Sequence, residues 1–172
     1  FTTVTAPIEN SLTAGTDDNT PTAAEVVTGL QMFLDSETVD VNLLFAFPGS
    51  NSGVGEAGAT DKDIAAGLIT LVESRKDCMA FVSPPIEDSK DITNPGQEVT
   101  GWVEGLTSTS YASVDSSAVY VYDKYNDVYR WIGAAGHIAG LCANTDNVAD
   151  AWFSPAGVNR GQLLGITKLA WN

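Results

Sequence analysis

Apolar positions along this chain come in short bursts whose spacing alternates between helical and strand-like. Val26, Val27, Leu30, Phe33 and Leu34 recur with the helical period, and Thr22 followed by Glu25 stands at capping-box spacing ahead of them, which predicts a first amphipathic helix. Val39 to Phe47 is dense in Val, Leu and Phe and stops at Pro48-Gly49, the pattern of a strand buried on both faces. Thr60 is placed to cap a second helix, with Asp61 and Asp63 in its first turn, Ile64, Leu68, Leu71 and Val72 on its core face, and Arg75 and Lys76 at its end. That charge order suits the helix dipole at both ends. Cys78 to Val82 reads as a second buried strand, broken by Pro84-Pro85.

Further along, Asn94-Pro95 offers a cap and a first-turn proline for a helix carrying Val99, Trp102, Val103 and Leu106. Ala118 to Tyr122 and Val128 to Ile132 flank the turn-rich Asp123-Lys124-Tyr125-Asn126-Asp127 and predict a β-hairpin. Residues 134 to 143, small and apolar around His137, predict a short, closely packed helix. Helix and buried strand thus alternate, and the expected fold class is α/β: a layered, mostly parallel sheet flanked by helices, with a hairpin near 118–132. Residues 1–21, rich in Thr, Asn, Asp and Gly, read as an irregular lead-in, leaving 22–172 as one domain. The start at Phe1 and the stop directly after an apolar run at Ala170-Trp171-Asn172 suggest an excerpt from a longer polypeptide.

Charge narrows the choice of partner. Eight Lys and Arg stand against 22 Asp and Glu, a net charge of −14, so a phosphate-binding face would have to be built against the protein's own field. Direct nucleic-acid binding is not expected. No stretch reaches the roughly 18 apolar residues of a membrane span, and no membrane partner is expected either. Cys78 and Cys142 have no Cys or His neighbour at metal-ligand spacing and read as free thiols of a reducing compartment.

Three catalytic readings are available on paper. Gly53-Val54-Gly55-Glu56-Ala57-Gly58 spells G-x-G-x-x-G between a strand and a helix, which makes a dinucleotide site, or an α/β enzyme using the Gly53 to Gly58 loop, the alternative function. Five residues separate that loop from the strand, however, and Glu56, Asp61 and Asp63 would crowd a pyrophosphate with negative charge. A serine hydrolase needs more than a lone His137, and Gly49-Ser50-Asn51-Ser52-Gly53 puts Asn at the centre of the nucleophile spacing. Pairing carboxylates for glycoside hydrolysis is composition without a pocket. No catalytic, metal-binding or cofactor-binding residue is nominated, and no cofactor is expected.

The most specific part of the chain starts at Val119. Val119-Tyr120-Val121-Tyr122-Asp123-Lys124-Tyr125-Asn126-Asp127-Val128-Tyr129-Arg130-Trp131 leads through Ile138-Ala139-Gly140-Leu141-Cys142 to Trp152-Phe153-Ser154-Pro155-Ala156-Gly157-Val158-Asn159-Arg160-Gly161-Gln162. This run resembles the tail sheath proteins of T-even-type contractile phages, which share an aromatic residue before Ser-Pro-Ala-Gly and then Asn-Arg-Gly in the same frame. The resemblance spans about residues 22–172 and is strongest over 118–168. It implies a virion structural protein without a catalytic site, on a core often called subtilisin-like for its topology. Many copies would stack around a tail tube and slide as rigid bodies from an extended to a shorter, wider lattice, driving the tube through the host envelope. The implied partners are further copies of the same protein, the tube protein, the baseplate and the tail terminator; the implied location is the phage tail, assembled in the host cytoplasm.

Six residues of the motif are candidates for structural or assembly roles: Trp152, Pro155, Gly157, Asn159, Arg160 and Gly161. Gly157 and Gly161 would supply backbone freedom for a sharp turn, and Arg160 would donate to carboxylates or carbonyls, either within the turn or on a neighbouring subunit. Trp131, Trp152 and Phe153 suit a core better than an interface.

Overall fold

The structure, a computed structural model, describes residues 22–46, 59–158 and 160–171. Its elements run α1 (Ala23–Leu30), a 3-10 turn (Gln31–Phe33), β1 (Leu43–Ala46), α2 (Ala59–Arg75), β2 (Met79–Val82), α3 (Ile86–Ser89) and α4 (Pro95–Val103). β3 (Ala112–Val114), β4 (Ala118–Asp123), β5 (Val128–Gly133), α5 (Ala135–Val148) and β6 (Ile166–Leu169) complete the order.

The strands form two sheets of three. One is parallel in the order β1-β2-β3, with Leu44 opposite Ala80 and Ala80 opposite Ala112. The other is antiparallel in the order β5-β4-β6. The fold is mixed α/β, and the expectation of a mostly parallel sheet is corrected: the hairpin founds a sheet of its own, which β6 joins from the far end of the chain. β3 and β6 are three and four residues long, too short for a period to stand out in the sequence.

Side-chain alternation along β2 sets the layers. Ala80 and Val82 face α2 and join Ala65, Leu68, Leu71, Val72 and Trp102 in the main core, while Phe81 faces the other way onto Ala135 and Ala139 of α5. α2 and α5 therefore cover opposite faces of the parallel sheet. α1 lies outside α2 in close contact, because Gly67 leaves room for Val27; a Cβ there would stand 2.7 Å from a Val27 methyl. The four residues expected on the α2 core face are all buried.

Local signals hold in part. The Thr22–Glu25 capping box forms, with the Thr22 backbone N–H donating to the Glu25 carboxylate at 2.7 Å. Asn94 occupies the N-cap position of α4 and Pro95 opens the helix, but the Asn94 side chain makes no capping bond. Helix α2 starts at Ala59, so Thr60 lies inside it. The strand expected over Val39 to Phe47 is shorter and only half-buried: β1 is the edge of its sheet, and Phe45 keeps 44% of its surface exposed. Its predicted first residues are loop, held where the Val39 carbonyl accepts from Arg75 at 2.9 Å. Phe47 lies outside the described residues. The helix around His137 runs on to Val148, since buried Thr145 turns its hydroxyl back onto the Leu141 carbonyl at 2.8 Å.

Candidate assembly surface

Past α5 the chain folds into a compact loop. Its first turn is closed by the Phe153 N–H on the Asp150 carbonyl at 2.9 Å, and Trp152 and Phe153 meet edge to face with ring centres 5.8 Å apart. Gly157 and Arg160 then pair as an isolated antiparallel bridge, the Arg160 N–H reaching the Gly157 carbonyl at 3.2 Å. Arg160 folds back over this turn. Its Nε donates to the Ala156 carbonyl at 3.1 Å, and its guanidinium carbon stands 4.2 Å from the centre of the Phe153 ring.

Two glycines make that packing possible. A Cβ on Gly157 would lie 2.9 Å from Arg160 Nε and 3.0 Å from its Cγ, so only a bare backbone lets the arginine pass. Gly161 has φ +77°, and a Cβ there would press to 2.8 Å on the Pro155 carbonyl oxygen. Pro155, Gly157, Arg160 and Gly161 are thus brought into one loop, while Asn159 lies outside the described residues. The acceptor for Arg160 sits on the exposed Ala156. Trp152 does not enter the core: 81% of its surface is exposed.

The loop stands against the second half of α5. Between them opens a cleft of about 390 Å³, walled by Leu141, Thr145 and Val148 on the helix and by Phe153, Arg160 and Leu164 on the loop. Leu141, Thr145 and Val148 recur at i, i+4 and i+7, so this wall was readable as a helix face had the helix been carried past residue 143. Of the lining residues Val148 and Leu164 are 75% and 80% exposed, and Trp152 and Val158 of the same loop are 81% and 94% exposed. The lining mixes Leu141, Val148, Phe153 and Leu164 with Asn144, Thr145 and Gln162, carries one cation, and among the described residues holds no pair of titratable groups suited to proton transfer.

Comparison with known proteins agrees with the motif. The family model described as the phage tail sheath protein central domain matches residues 19–172. The chain belongs to the phage tail sheath protein family. It is 38% identical over 177 residues to the tail sheath protein of Enterobacteria phage T4, covering 93% of this chain and 26% of that protein. To the tail sheath protein of Vibrio phage KVP40 it is 37% identical over 176 residues, or 91% and 25% of the two chains. The tail sheath protein of Salmonella phage ViI is 42% identical over 109 residues, 61% of this chain. The chain thus spans about a quarter of the length of the first two curated relatives.

Two further features of this tail sheath domain lie outside the cleft. On the hairpin, an aromatic ladder crosses from strand to strand: Tyr120 lies 5.3 Å from Tyr129 and 4.9 Å from Trp131, and Tyr122 lies 5.1 Å from Tyr129, centre to centre. Trp131 is half-buried there, with Lys90 above its ring. At the carboxyl end of the parallel sheet, the buried Ser83 hydroxyl donates to Asp115 and accepts from the Ala135 N–H at 2.9 Å. This knot ties the ends of β2 and β3 to the start of α5. Burial raises the Asp115 carboxyl to about 6, against the lowering pull of the Ser83 hydroxyl and the Ser117 backbone.

His137 sits half-buried on α5 between Gly136 and Ile138. The Gly53 to Gly58 loop lies outside the described residues, and among those described no cluster of His, Cys, Asp and Glu could hold a metal ion. Cys78 is buried and Cys142 half-buried, both as free thiols raised above the usual range mainly by burial.

Proposed function

We propose that this chain is the central part of a structural subunit of a contractile phage tail sheath, which polymerises around the tail tube and contracts by rigid-body rearrangement to drive the tube through the host envelope. The observation that carries this reading is the family match over residues 19–172. No catalytic step and no cofactor belong to it. The energy of contraction would reside in a metastable lattice of subunits, and what this domain contributes is a stiff body that keeps its shape between two packings.

In this reading residues 22–172 act as one core domain with 1–21 as an irregular lead-in, and the parallel sheet between α2 and α5 is the part that supports a subtilisin-like topology. The loop bearing Trp152, Pro155, Gly157, Asn159, Arg160 and Gly161 serves assembly, an assignment supported by the exposure of Trp152 and Arg160. The tube protein, the baseplate and the tail terminator are the partners, and the protein assembles in the host cytoplasm before it becomes part of the virion tail. Electron microscopy of the full polypeptide tests the proposal: long tubes or polysheaths are expected, and a protein that stays dispersed under all assembly conditions contradicts it.

A further inference from the structure

The described residues expose a second apolar feature besides the cleft rim. Met32, Phe33 and Leu34 form a short ridge at the end of α1, exposed by 78%, 37% and 46%. The ridge is held from below. Arg75, at the end of α2, donates one terminal nitrogen to the Phe33 carbonyl and the other to the Val39 carbonyl, and its own side chain is only 1% exposed. A ridge whose backbone is clamped in this way loses little conformational freedom on binding, which favours association. Just beyond it the exposed Asp35, Glu37 and Asp40 make the flank acidic.

The cleft is the counterpart in shape and in charge. It is apolar along Leu141, Val148 and Leu164, and its cation, Arg160, forms no ion pair among the described residues. Among the described residues only the Nε of that guanidinium is bonded, and both terminal nitrogens can reach an acceptor. Ridge and cleft are separate patches: the ridge rides on α1 and α2, over one face of the parallel sheet, whereas the cleft is walled by α5, over the other. Two different patches make a head-to-tail contact, which repeats without closing unless a rotation happens to close it; that is how rings and helical lattices arise.

We infer that the Met32 to Leu34 ridge of one copy of this chain seats in the α5 cleft of a second copy, with the acidic flank of the ridge facing Arg160. The inference rests on the sheath reading and adds to it the two surfaces that meet. Apolar burial supplies the contact, and the Arg160 charge sets its register against a chain that otherwise carries −14.

Cysteine cross-linking in the full polypeptide tests it. Two variants are made in a Cys142→Ser background, one carrying Met32→Cys and the other Leu164→Cys, and they are assembled singly and as a mixture, with tubes checked by microscopy. The expected result is a disulfide-linked pair in the mixture only, and rapid maleimide labelling of both cysteines before assembly. Normal tubes without the mixed cross-link overturn the inference while leaving the sheath reading intact. A cross-link within one variant alone overturns it by showing a two-fold contact, and cysteines protected before assembly overturn it by showing that the same polypeptide covers them. Absence of tubes in the unsubstituted protein overturns both readings. A second arm reverses charge: Arg160→Glu is expected to raise the protein concentration needed for assembly at least tenfold, and Glu37→Arg combined with it to restore most of the loss. Equal assembly by Arg160→Glu and the parent overturns the role of Arg160 in the contact.

Discussion

Asp115 directly follows β3, with one carboxyl oxygen on the Ser83 hydroxyl and the other buried with no hydrogen bond among the described residues. With its value raised from 3.8 to about 6, the folded state holds this proton more tightly than the unfolded chain does. The stability contributed by the protonated form is therefore complete below about pH 4 and is lost as pH rises through about 6, a change on the order of 2–3 kcal/mol. Asp115→Asn removes the charge but keeps an acceptor for Ser83, so unfolding measured against pH should be flatter than in the parent and the variant should gain at pH 7–8 but not at pH 4. A parallel pair of pH curves contradicts this. Arg160 gives the opposite kind of result. The sequence suggested that it satisfies acceptors inside a turn, and its Nε does bond the Ala156 carbonyl, but both residues are exposed and water can replace the bond. Arg160→Ala should cost the isolated domain only about 0.5–1 kcal/mol, mainly the stacking on Phe153. A loss above about 2 kcal/mol in denaturant unfolding would show that the loop depends on it for folding.

At the scale of elements, turn and cap chemistry decides more than propensity. Thr22→Ala removes the hydroxyl that accepts from the Glu25 N–H, while the backbone N–H of residue 22 can still donate to the Glu25 carboxylate, and it should lower stability by about 1 kcal/mol, seen as a Tm drop of roughly 2–4 °C. An unchanged Tm would mean that α1 is held by its packing on α2 alone. Gly161 and Gly165 offer a controlled comparison, since both have positive φ but only Gly161 has an atom within 4 Å of its missing Cβ. Gly161→Ala should therefore destabilise by about 1 kcal/mol more than Gly165→Ala, which carries only the backbone term. Equal losses from the two would remove the Pro155 contact from the explanation. The same contrast explains what was legible in the sequence. The Thr22–Glu25 box, the α2 core face and the 118–132 hairpin each rest on several residues within one local window, and they appear where expected. β1 was read too long and too buried because a run of Val, Leu and Phe does not reveal that a strand will be an edge. Trp152 was expected inside because its size favours burial, yet no neighbour on the far side of the loop covers it. The helix wall of the cleft has a readable period at Leu141, Thr145 and Val148, but the cleft itself needs the tertiary approach of a loop to that face.

The whole molecule carries a charge of −14, and among the described residues Arg75–Asp77, Lys90–Asp91 and Arg130–Asp123 form ion pairs. Self-repulsion should therefore weaken the compact state at low ionic strength, and the melting temperature should rise between about 10 and 150 mM salt as the screening length falls toward 8 Å. A falling Tm over that range would show that the few ion pairs outweigh the general field. The last strand has a mechanical meaning. β6 lies antiparallel to β4 with its hydrogen bonds across the strand axis, and beyond it the Ala170 N–H holds the Ala118 carbonyl at 2.9 Å while the Trp171 indole holds Ser116 at 2.8 Å. A tension applied past Trp171 along the strand loads these bonds together in shear. The same tension applied across the sheet meets the Trp171 indole bond first, then Ala170, and opens the rest one at a time, as a zip. This edge is stiff in one direction and yielding in the other, so a load is carried or released according to the angle at which it arrives.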